Sequence, residues 1–241
     1  DVSVAALGLG VPIKFVWAFD ASAGADGLLV TKASGIKSVA DLKGKEVAYH
    51  KGSSSHLYLT TILKKAGLKD ADVKSVEMKA SEAASALMAG KVPAAVTWEP
   101  HLTKAAAAGN IILSTTKDTP ALIADVLALH EDFVKSSPDK VQALVAAMAE
   151  ATEFIQKNPA EAAKIMATVL KEKPEETLAG NKTIQFYNLK DNVALFGTPE
   201  KPGALQEVAK IAGEFYVGQK ILTKVPDTSK VFDSTFINKI K

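Results

Sequence analysis

The segment Val47-Ala-Tyr-His-Lys-Gly-Ser-Ser-Ser-His-Leu57 joins a short apolar strand to the start of a helix. Its strand, Glu46–Tyr49, has the length and composition of a buried strand. The helix begins among the serines and continues to Ala66, where Gly67 offers the left-handed conformation that ends many helices. The segment therefore predicts a strand–loop–helix unit with a loop rich in glycine and serine.

Strands and helices alternate in the same way through the first half of the chain. Predicted strands lie at Asp1–Val4, Val11–Phe19, Gly27–Thr31, Val73–Met78 and Ala94–Trp98. Short helices are predicted at 38–44 and 81–89, each opened by a serine that can cap its first turn. This alternation, with its short connections, indicates an α/β fold with a largely parallel sheet.

After Pro120 the pattern changes to mostly helices. One more apolar strand is predicted at Ile123–Leu129. Three helices then have proline at their first helical position, where the missing N–H would have no partner anyway. These helices begin at Pro138, Pro159 and Pro174, and an amphipathic helix follows at residues 204–219.

The composition excludes several kinds of site. The net charge of +2 does not favour nucleic acid as a partner. The chain has no cysteine, which excludes disulfides, thiolate metal sites and cysteine nucleophiles. Its histidines lack metal-ligand spacing, so we predict neither a metal nor a cofactor. All 29 basic residues are lysines, so an anionic ligand must be bound by helix N-termini, hydroxyls, amides or lysine.

Several motifs occur along the chain in one order. Residues 47–57 are preceded by Ile36–Gly44 and followed by Ala66-Gly-Leu68, Ala89-Gly-Lys-Val92 and Val96-Thr-Trp-Glu-Pro100. In this order they closely resemble the aliphatic sulfonate and taurine binding proteins of ABC importers. The resemblance covers most of the chain, and this branch has relatives that bind nitrate, pyrimidines and other small molecules.

The resemblance implies an α/β, two-lobe periplasmic binding protein type II fold that closes around a ligand. Lobe I would combine residues 1–33 with residues 121–241, which include the C-terminal helices, and lobe II would be residues 34–120. Members of the family normally begin with another strand–helix–strand unit. We therefore expect the N-terminal part of the first lobe to be absent from this chain.

The same resemblance implies a function in solute uptake. The protein would be a monomeric, extracytoplasmic solute-binding component that delivers a small molecule to the permease of an ABC transporter. It would work in the periplasm or at the extracellular face of the bacterial membrane. Two enzymes related to this fold, a pyrimidine-synthesising protein and a deaminase of tetrapyrrole synthesis, resemble the family but depend on cysteines, which this chain lacks, so we predict a binding protein and not an enzyme. The alternatives are the effector-binding domain of a transcription regulator, or an enzyme on the same fold.

The first predicted ligand-binding group is Gly52, Ser53, Ser54, Ser55 and His56, at the start of a helix. A helix N-terminus exposes amide N–H groups and the positive end of the helix dipole, and both attract an anion. The serines add hydroxyl donors, and the glycine permits a tight turn. The competing interpretation is that one serine only caps the helix.

Four further residues complete the predicted site. Trp98 and Glu99 end a strand, and ligands of open α/β sheets lie beyond the carboxyl ends of strands. Asp20 and Asp26 flank the loop before a strand that the resemblance places at a hinge. Trp98 could instead belong to the core, and the three carboxylates could be solvated.

The charges of these residues favour a zwitterionic ligand. The carboxylates of Asp20, Asp26 and Glu99 would repel a simple anion. An ammonium group could pair with them while an acid group lies at the helix N-terminus. We therefore expect taurine or a short ω-amino acid in preference to a simple alkanesulfonate.

Overall fold

The computed structural model describes residues 1–198 and 201–240. It separates into two compact units, one formed by Asp1–Ala21 with Ala124–Lys241 and the other by Ser22–Ile123. Residues 22–33, which the sequence analysis assigned to lobe I, thus make their contacts within the second unit. The division into two ligand-binding lobes stays a prediction. Within the described residues, no helix combines the length and the apolar character needed to cross a membrane.

The strands and helices alternate up to β7, after which helices predominate. The strands are β1 (Ile13–Ser22), β2 (Asp26–Val30), β3 (Glu46–Tyr49), β4 (Lys74–Glu77), β5 (Ala94–Trp98), β6 (Ile111–Thr115), β7 (Ala124–His130) and β8 (Ile184–Phe186). The helices are α1 (Val2–Gly8), α2 (Ser54–Lys65), α3 (Ala80–Met88), α4 (His101–Ala107), α5 (Glu131–Ser136), α6 (Pro138–Lys157), α7 (Pro159–Leu170), α8 (Pro174–Asn181), α9 (Leu189–Phe196) and α10 (Ala204–Gly218).

The second unit is built on a five-stranded sheet with the order β4-β3-β5-β2-β6. β3 runs parallel to β4 and β5, whereas β2 runs antiparallel to β5 and β6. The prediction of a largely parallel sheet is therefore wrong. All five residues of β2 are buried, and a strand covered on both faces has the continuous apolar sequence that is typical of parallel strands. Hydrophobic pattern alone therefore did not reveal the direction of β2.

Helices cover both faces of this sheet. On one face, the Tyr58 hydroxyl of α2 hydrogen bonds to the Ser114 hydroxyl of β6. On the other face, the buried Thr97 hydroxyl of β5 donates to the Ala80 carbonyl of α3 at 2.9 Å. A methyl group added at Gly27 of β2 would also lie 3.0 Å from the Leu102 side chain of α4. The sheet therefore has an α2 face and an opposite face that packs against α3 and α4.

The first unit contains a three-stranded sheet with the order β7-β1-β8. β1 and β7 are antiparallel, and the buried side chains of Phe15 and Trp17 join a core that includes Val141 and Val145 of α6. The C-terminal segment also pairs with β1, because the Phe15 amide donates to the Val231 carbonyl at 2.8 Å.

Some local predictions differ from the structure. Residues 1–4, predicted as a strand from their β-branched valines, begin helix α1, whose first amide donates to the Asp1 side chain at 2.8 Å. An Asp cap and the alanines that follow favour a helix over the short valine pattern. The helix predicted at 38–44 is a single 3₁₀ turn, Val39–Leu42. The helices α4, α5 and α9 and the strands β6 and β8 were not predicted from the sequence.

A bulge in β1 sets the position of Asp20. The register with β7 shifts between Ala18 and Asp20, which leaves Asp20 opposite Asp125. The Ala18 amide donates to Asn192 Oδ1 at 2.7 Å, and Asn192 Nδ2 donates to the Ala18 carbonyl at 3.0 Å. At the bulge, the fully buried Asn192 side chain therefore makes the two backbone hydrogen bonds that a neighbouring strand would otherwise make.

Burial raises the pKa of the Asp20 carboxyl to about 7, and the charge of Asp125 raises it further in the same direction. The folded state therefore keeps a proton on Asp20 at pH values where the unfolded chain has lost it. This contribution to stability is complete below about pH 4, the ordinary range of an Asp carboxyl, and is lost as the pH rises toward 7.

We expect Asp20→Asn to remove this pH dependence. At about pH 8 the variant should be more stable than the wild type by up to about 4 kcal/mol, because a pKa difference of one unit corresponds to about 1.4 kcal/mol. At about pH 4 the two proteins should have similar free energies of unfolding. Urea unfolding followed by Trp17 fluorescence, in a Trp98→Phe background, measures this difference in the first unit. Asp125→Asn, which removes only the smaller cause, should give a smaller gain, and an equal gain for Asp20→Asn at both pH values would contradict the prediction.

Candidate functional site

One edge of the sheet in the second unit collects most of the predicted site residues. β3, β4 and β5 are parallel, and β6 regains their direction because β2 is antiparallel to both β5 and β6. The carboxyl ends of these four strands therefore meet the amino end of β2 at one edge. Ligands of α/β sheets bind beyond such an edge.

Strand register places Asp26 and Trp98 on the α2 face of this edge. Ser114, which contacts α2, pairs with Leu28, and Leu28 pairs with Val96. Side chains two residues apart in a strand share a face, so Asp26 and Trp98, which pair directly, point to the same side as α2.

The pKa of Tyr58 agrees with a position of Asp26 on the α2 face. Burial raises the pKa of the Tyr58 phenol on α2, and the carboxylates of Asp118 and Asp26 raise it further. Asp26 itself is only 6% exposed, whereas Trp98 is half-buried. The edge therefore presents a buried acidic side chain and an aromatic ring beside the same helix.

The start of α2 is not capped by its own serine. The Ser53 hydroxyl turns back and donates to the His50 carbonyl at 2.6 Å, and it makes no capping bond to the helix. The amides of His56 and Leu57 both donate to the Ser53 carbonyl at 3.0 Å. The amides of Ser54 and Ser55 meet no acceptor in the part of the chain that the structure describes. Two N–H groups at the positive end of α2 are therefore available to an external acceptor.

Ser55 adds a hydroxyl at the same place. Its side chain is completely buried, and within the described residues its Oγ has no hydrogen-bond partner. A buried hydroxyl without a partner costs about 1–3 kcal/mol. Such a group at the first turn of a helix needs an explanation, and a bound acceptor provides one.

His56 lies behind this helix start and supports it. The ring is buried, and its Nδ1 accepts a hydrogen bond from the Gly52 amide at 3.1 Å. Its Nε2 lies 3.4 Å from the Asp70 carboxylate, and its centroid lies 4.9 Å from the Tyr49 ring. The histidine therefore ties the glycine loop to the helix that follows it.

A pair of buried hydroxyls that sequence reasoning missed fixes the loop before β2. Ser22 Oγ and Thr116 Oγ1 lie 2.7 Å apart. The Gly24 amide donates to Thr116 Oγ1 at 2.9 Å, and the Asp26 amide donates to Ser22 Oγ at 3.2 Å. Ser22 and Thr116 are 94 residues apart in the sequence, and no local pattern joins the two.

The other two predicted site residues lie elsewhere. The Glu99 carboxylate accepts from the Thr103 amide at 3.1 Å and from the Thr103 hydroxyl at 2.7 Å, so it caps α4 on the opposite face of the sheet. Asp20 belongs to the first unit. The structure therefore brings together Gly52–Ser55, Asp26 and Trp98, with His56 behind them, and does not bring Glu99 to the same face.

A comparison with protein families identifies the chain. Residues 2–162 match the family model described as NMT1/THI5 like. The chain belongs to the NMT1/THI5-like family.

Curated members with similar sequences are named as binding proteins. A protein of Escherichia coli K12 named as an aliphatic sulfonates-binding protein is 41% identical over 87 residues, which are 36% of this chain and 27% of that protein. A binding protein of Brucella abortus 2308 is 31% identical over 59% of this chain and 46% of its own length. The matched part thus spans less than half of these relatives. A Bacillus subtilis aliphatic sulfonates-binding protein is 29% identical over 98% of this chain and 68% of its own length.

Several solved structures share the fold. The aliphatic sulphonate binding protein SsuA of Escherichia coli aligns with a TM-score of 0.80 at 21% identity, over 97% of this chain and 73% of that one. SsuA of Xanthomonas axonopodis pv. citri, bound to MOPS, aligns at 0.72 and 22% identity, over 94% and 76% of the two chains. The desulfurization enzyme DszB aligns at 0.68 and 15% identity, over 95% and 78%. The predicted periplasmic binding protein fold is confirmed.

We expect Glu99 to act mainly as a cap for α4. Glu99→Ala should lower the free energy of unfolding by about 1 kcal/mol, the usual cost of losing a side-chain cap. Glu99→Gln should lose less, because its amide oxygen still accepts from the Thr103 amide. Urea unfolding of both variants beside the wild type measures the two losses. Equal stability of Glu99→Ala and the wild type would show that the cap contributes nothing.

Proposed function

We propose that this protein is the solute-binding component of an ABC importer and that it binds a small organic sulfonate at the start of α2. The observation that carries the proposal is the helix start itself: among the described residues, the amides of Ser54 and Ser55 and the buried Ser55 hydroxyl have no hydrogen-bond partner, and no side chain caps the helix. The names of the similar proteins from Escherichia coli and Bacillus subtilis support the same class of ligand.

The chemistry of the helix start suits a sulfonate group. Such a group has three oxygens and one negative charge, and it needs several donors and no proton exchange. Amide N–H groups, the helix dipole and a hydroxyl provide them without a guanidinium group, and the chain contains no arginine. A buried hydroxyl gains most from such a ligand, because hydrogen bonds to charged groups contribute about 1.5–3 kcal/mol.

The same contacts favour binding over catalysis. A serine nucleophile needs a histidine nitrogen that accepts its proton. The Ser53 hydroxyl instead donates to the His50 carbonyl, and His56 Nδ1 already accepts from the Gly52 amide. The structural likeness to DszB is the specific reason to consider an enzyme, but no cysteine is present to act as a nucleophile.

For the ligand itself we propose a zwitterion: taurine among the sulfonates, or a short ω-amino acid in which a carboxylate takes the place of the sulfonate. Asp26 is a buried acid on the α2 face, paired across the strands with Trp98. Its charge would oppose a ligand that is only an anion, whereas it attracts an ammonium group at the other end of a short chain. Trp98 offers an apolar surface to the methylene groups between the two charges.

The descriptions of similar proteins support a cellular location for this function. We propose that the protein works in the periplasm or at the extracellular face of the membrane and passes its ligand to a transporter permease. SsuA structures described as periplasmic support this location. Detection of a reaction product from bound taurine or ethanesulfonate would favour an enzyme instead.

Ser55→Ala tests the anion site through two opposite effects. Without ligand the variant should be as stable as the wild type or slightly more stable, because a buried hydroxyl without a partner is removed. Its affinity for ethanesulfonate should nevertheless fall by about 1–2 kcal/mol, since a donor to a charged group is lost. Calorimetric titration and urea unfolding measure the two quantities. Ser85→Ala, on the exposed side of α3, is the matched control and should change neither, and unchanged affinity in Ser55→Ala would remove Ser55 from the site.

Asp26→Asn tests the choice between a zwitterion and a simple sulfonate. Taurine and ethanesulfonate form a suitable pair of probes, because taurine carries the additional ammonium group. We expect Asp26→Asn to weaken taurine by about tenfold or more and to leave ethanesulfonate unchanged or improved, since a pair of opposite charges becomes a charge beside an amide. Glu99→Gln is the matched control, because it makes the same chemical change on the opposite face of the sheet. Equal losses for both probes would argue against an ammonium partner for Asp26.

A further inference from the structure

We propose that His56 is a positioning residue for the anion site, whose unprotonated Nδ1 holds the Gly52 amide and so keeps the start of α2 open to the ligand. This inference rests on the proposed function of that site, which it deepens by assigning a role to a residue behind the ligand.

The His56 side chain extends back from α2 to the loop that precedes the helix. His56 is the third residue of α2, and its side chain accepts from the backbone amide four residues earlier, Gly52, at 3.1 Å. A helix start is commonly closed by a side chain at this position that reaches back to the capping residue. Here the bond goes to the residue before the cap instead. The backbone of Gly52 has a φ of 73°, a conformation that glycine adopts without strain.

The bond between Gly52 and His56 is also linked to the direction of the Ser53 hydroxyl. With Gly52 held against His56, the next residue, Ser53, turns its hydroxyl to the His50 carbonyl at 2.6 Å. Ser53 is thereby drawn away from the helix amides that it would otherwise cap. Without the Gly52–His56 bond, the loop can rotate and the Ser53 hydroxyl can occupy the place of the ligand.

The contacts of the two ring nitrogens of His56 also determine its tautomer. Because Nδ1 accepts a hydrogen bond, the proton of the neutral ring lies on Nε2, which faces Asp70 Oδ2 at 3.4 Å. Asp70 is itself held by the Thr60 hydroxyl, at 2.9 and 3.1 Å from its two oxygens. The histidine is therefore fixed from both sides, with the Gly52 amide as the contact that requires a neutral ring.

Side chains from neighbouring elements surround His56. Asp70, from the 3₁₀ turn 70–72, lies beside Nε2, and the Gly52 amide donates to Nδ1. Tyr49 of β3 faces the ring, and its pKa is raised by burial first and then by the charges of Asp70 and Glu77.

The other acids on elements that pack against α2 point elsewhere. Asp26 of β2 acts on Tyr58, and Asp41 of the turn Val39–Leu42 accepts from Lys37 and Ser38.

Two amide variants separate the two nitrogens of the ring. His56→Asn places its amide oxygen where Nδ1 lies, whereas His56→Gln places its amide near Nε2, where it does not replace the Nδ1 contact with the Gly52 amide. Near neutral pH we expect His56→Asn to bind taurine and ethanesulfonate within about threefold of the wild type and His56→Gln to bind them about tenfold more weakly. Equal binding by His56→Gln and the wild type, or an equal loss of affinity in His56→Asn and His56→Gln, would overturn the proposal.

Hydrogen exchange of the Gly52 amide tests the same contact without any ligand. The amide should be protected in the wild type and in His56→Asn, and it should exchange faster in His56→Gln. Thermal unfolding of each variant verifies that the exchange reports a folded protein. If the wild type binds neither probe, the proposed function fails, while the exchange rates still decide whether His56 holds the loop. Equal protection of Gly52 in all three folded proteins would contradict the role of His56.

Discussion

The antiparallel pairing of β2 with β5 is the interaction on which the arrangement of the second unit depends. It pairs Asp26 with Trp98, the last residue of β5. A parallel β2 would have put residue 26 at the far edge of the sheet, away from α2. Because β2 also pairs with β6, the same reversal brings Thr116 beside Ser22, and their buried hydroxyls fix the loop that leads into Asp26.

The second determinant is an excess of hydrogen-bond donors over acceptors at the start of α2. Most helix starts satisfy their first amides with the capping side chain. Here Ser53 faces backward, His56 holds Gly52, and Ser55 is buried without a hydrogen-bond partner among the described residues. The unpartnered Ser55 hydroxyl and the uncapped amides cost the free protein some stability that a cap would provide. The cost is understandable if the site is completed by a ligand, because donors already oriented for an anion lose little entropy when it binds.

The sequence predicted the parts of this structure that local chemistry determines. The loop Gly52–Ser55 and the helix after it were found because glycine, serine and a terminating glycine act over a few residues. The proline-started helices α6, α7 and α8 were found for the same reason. The direction of β2 was not predicted, because a strand buried on both faces has the same apolar pattern in either direction.

The candidate site was predicted only in part, for a related reason. Trp98 and Glu99 are adjacent in sequence, and neither residue type reveals which face of the sheet it occupies. The alternation of a strand sends them to opposite sides, Trp98 to the α2 face and Glu99 to the cap of α4. The contacts of Thr116 with Ser22 and of Asn192 with Ala18 join residues 94 and 174 positions apart, so only the folded chain reveals them.

The discontinuity of the first unit has a consequence for the order in which the chain can fold during synthesis. The second unit, Ser22–Ile123, is continuous, so all its strands leave the ribosome before α6 does. β1, by contrast, bonds to Asn192 at its bulge and to the backbone of Val231 and Asp233 at Phe15. The strand β1 therefore lacks these partners, and its apolar side chains stay exposed, until residues 192–233 have been made. During that interval the nascent protein is most dependent on chaperones, and contacts of such long sequence separation also make refolding slow.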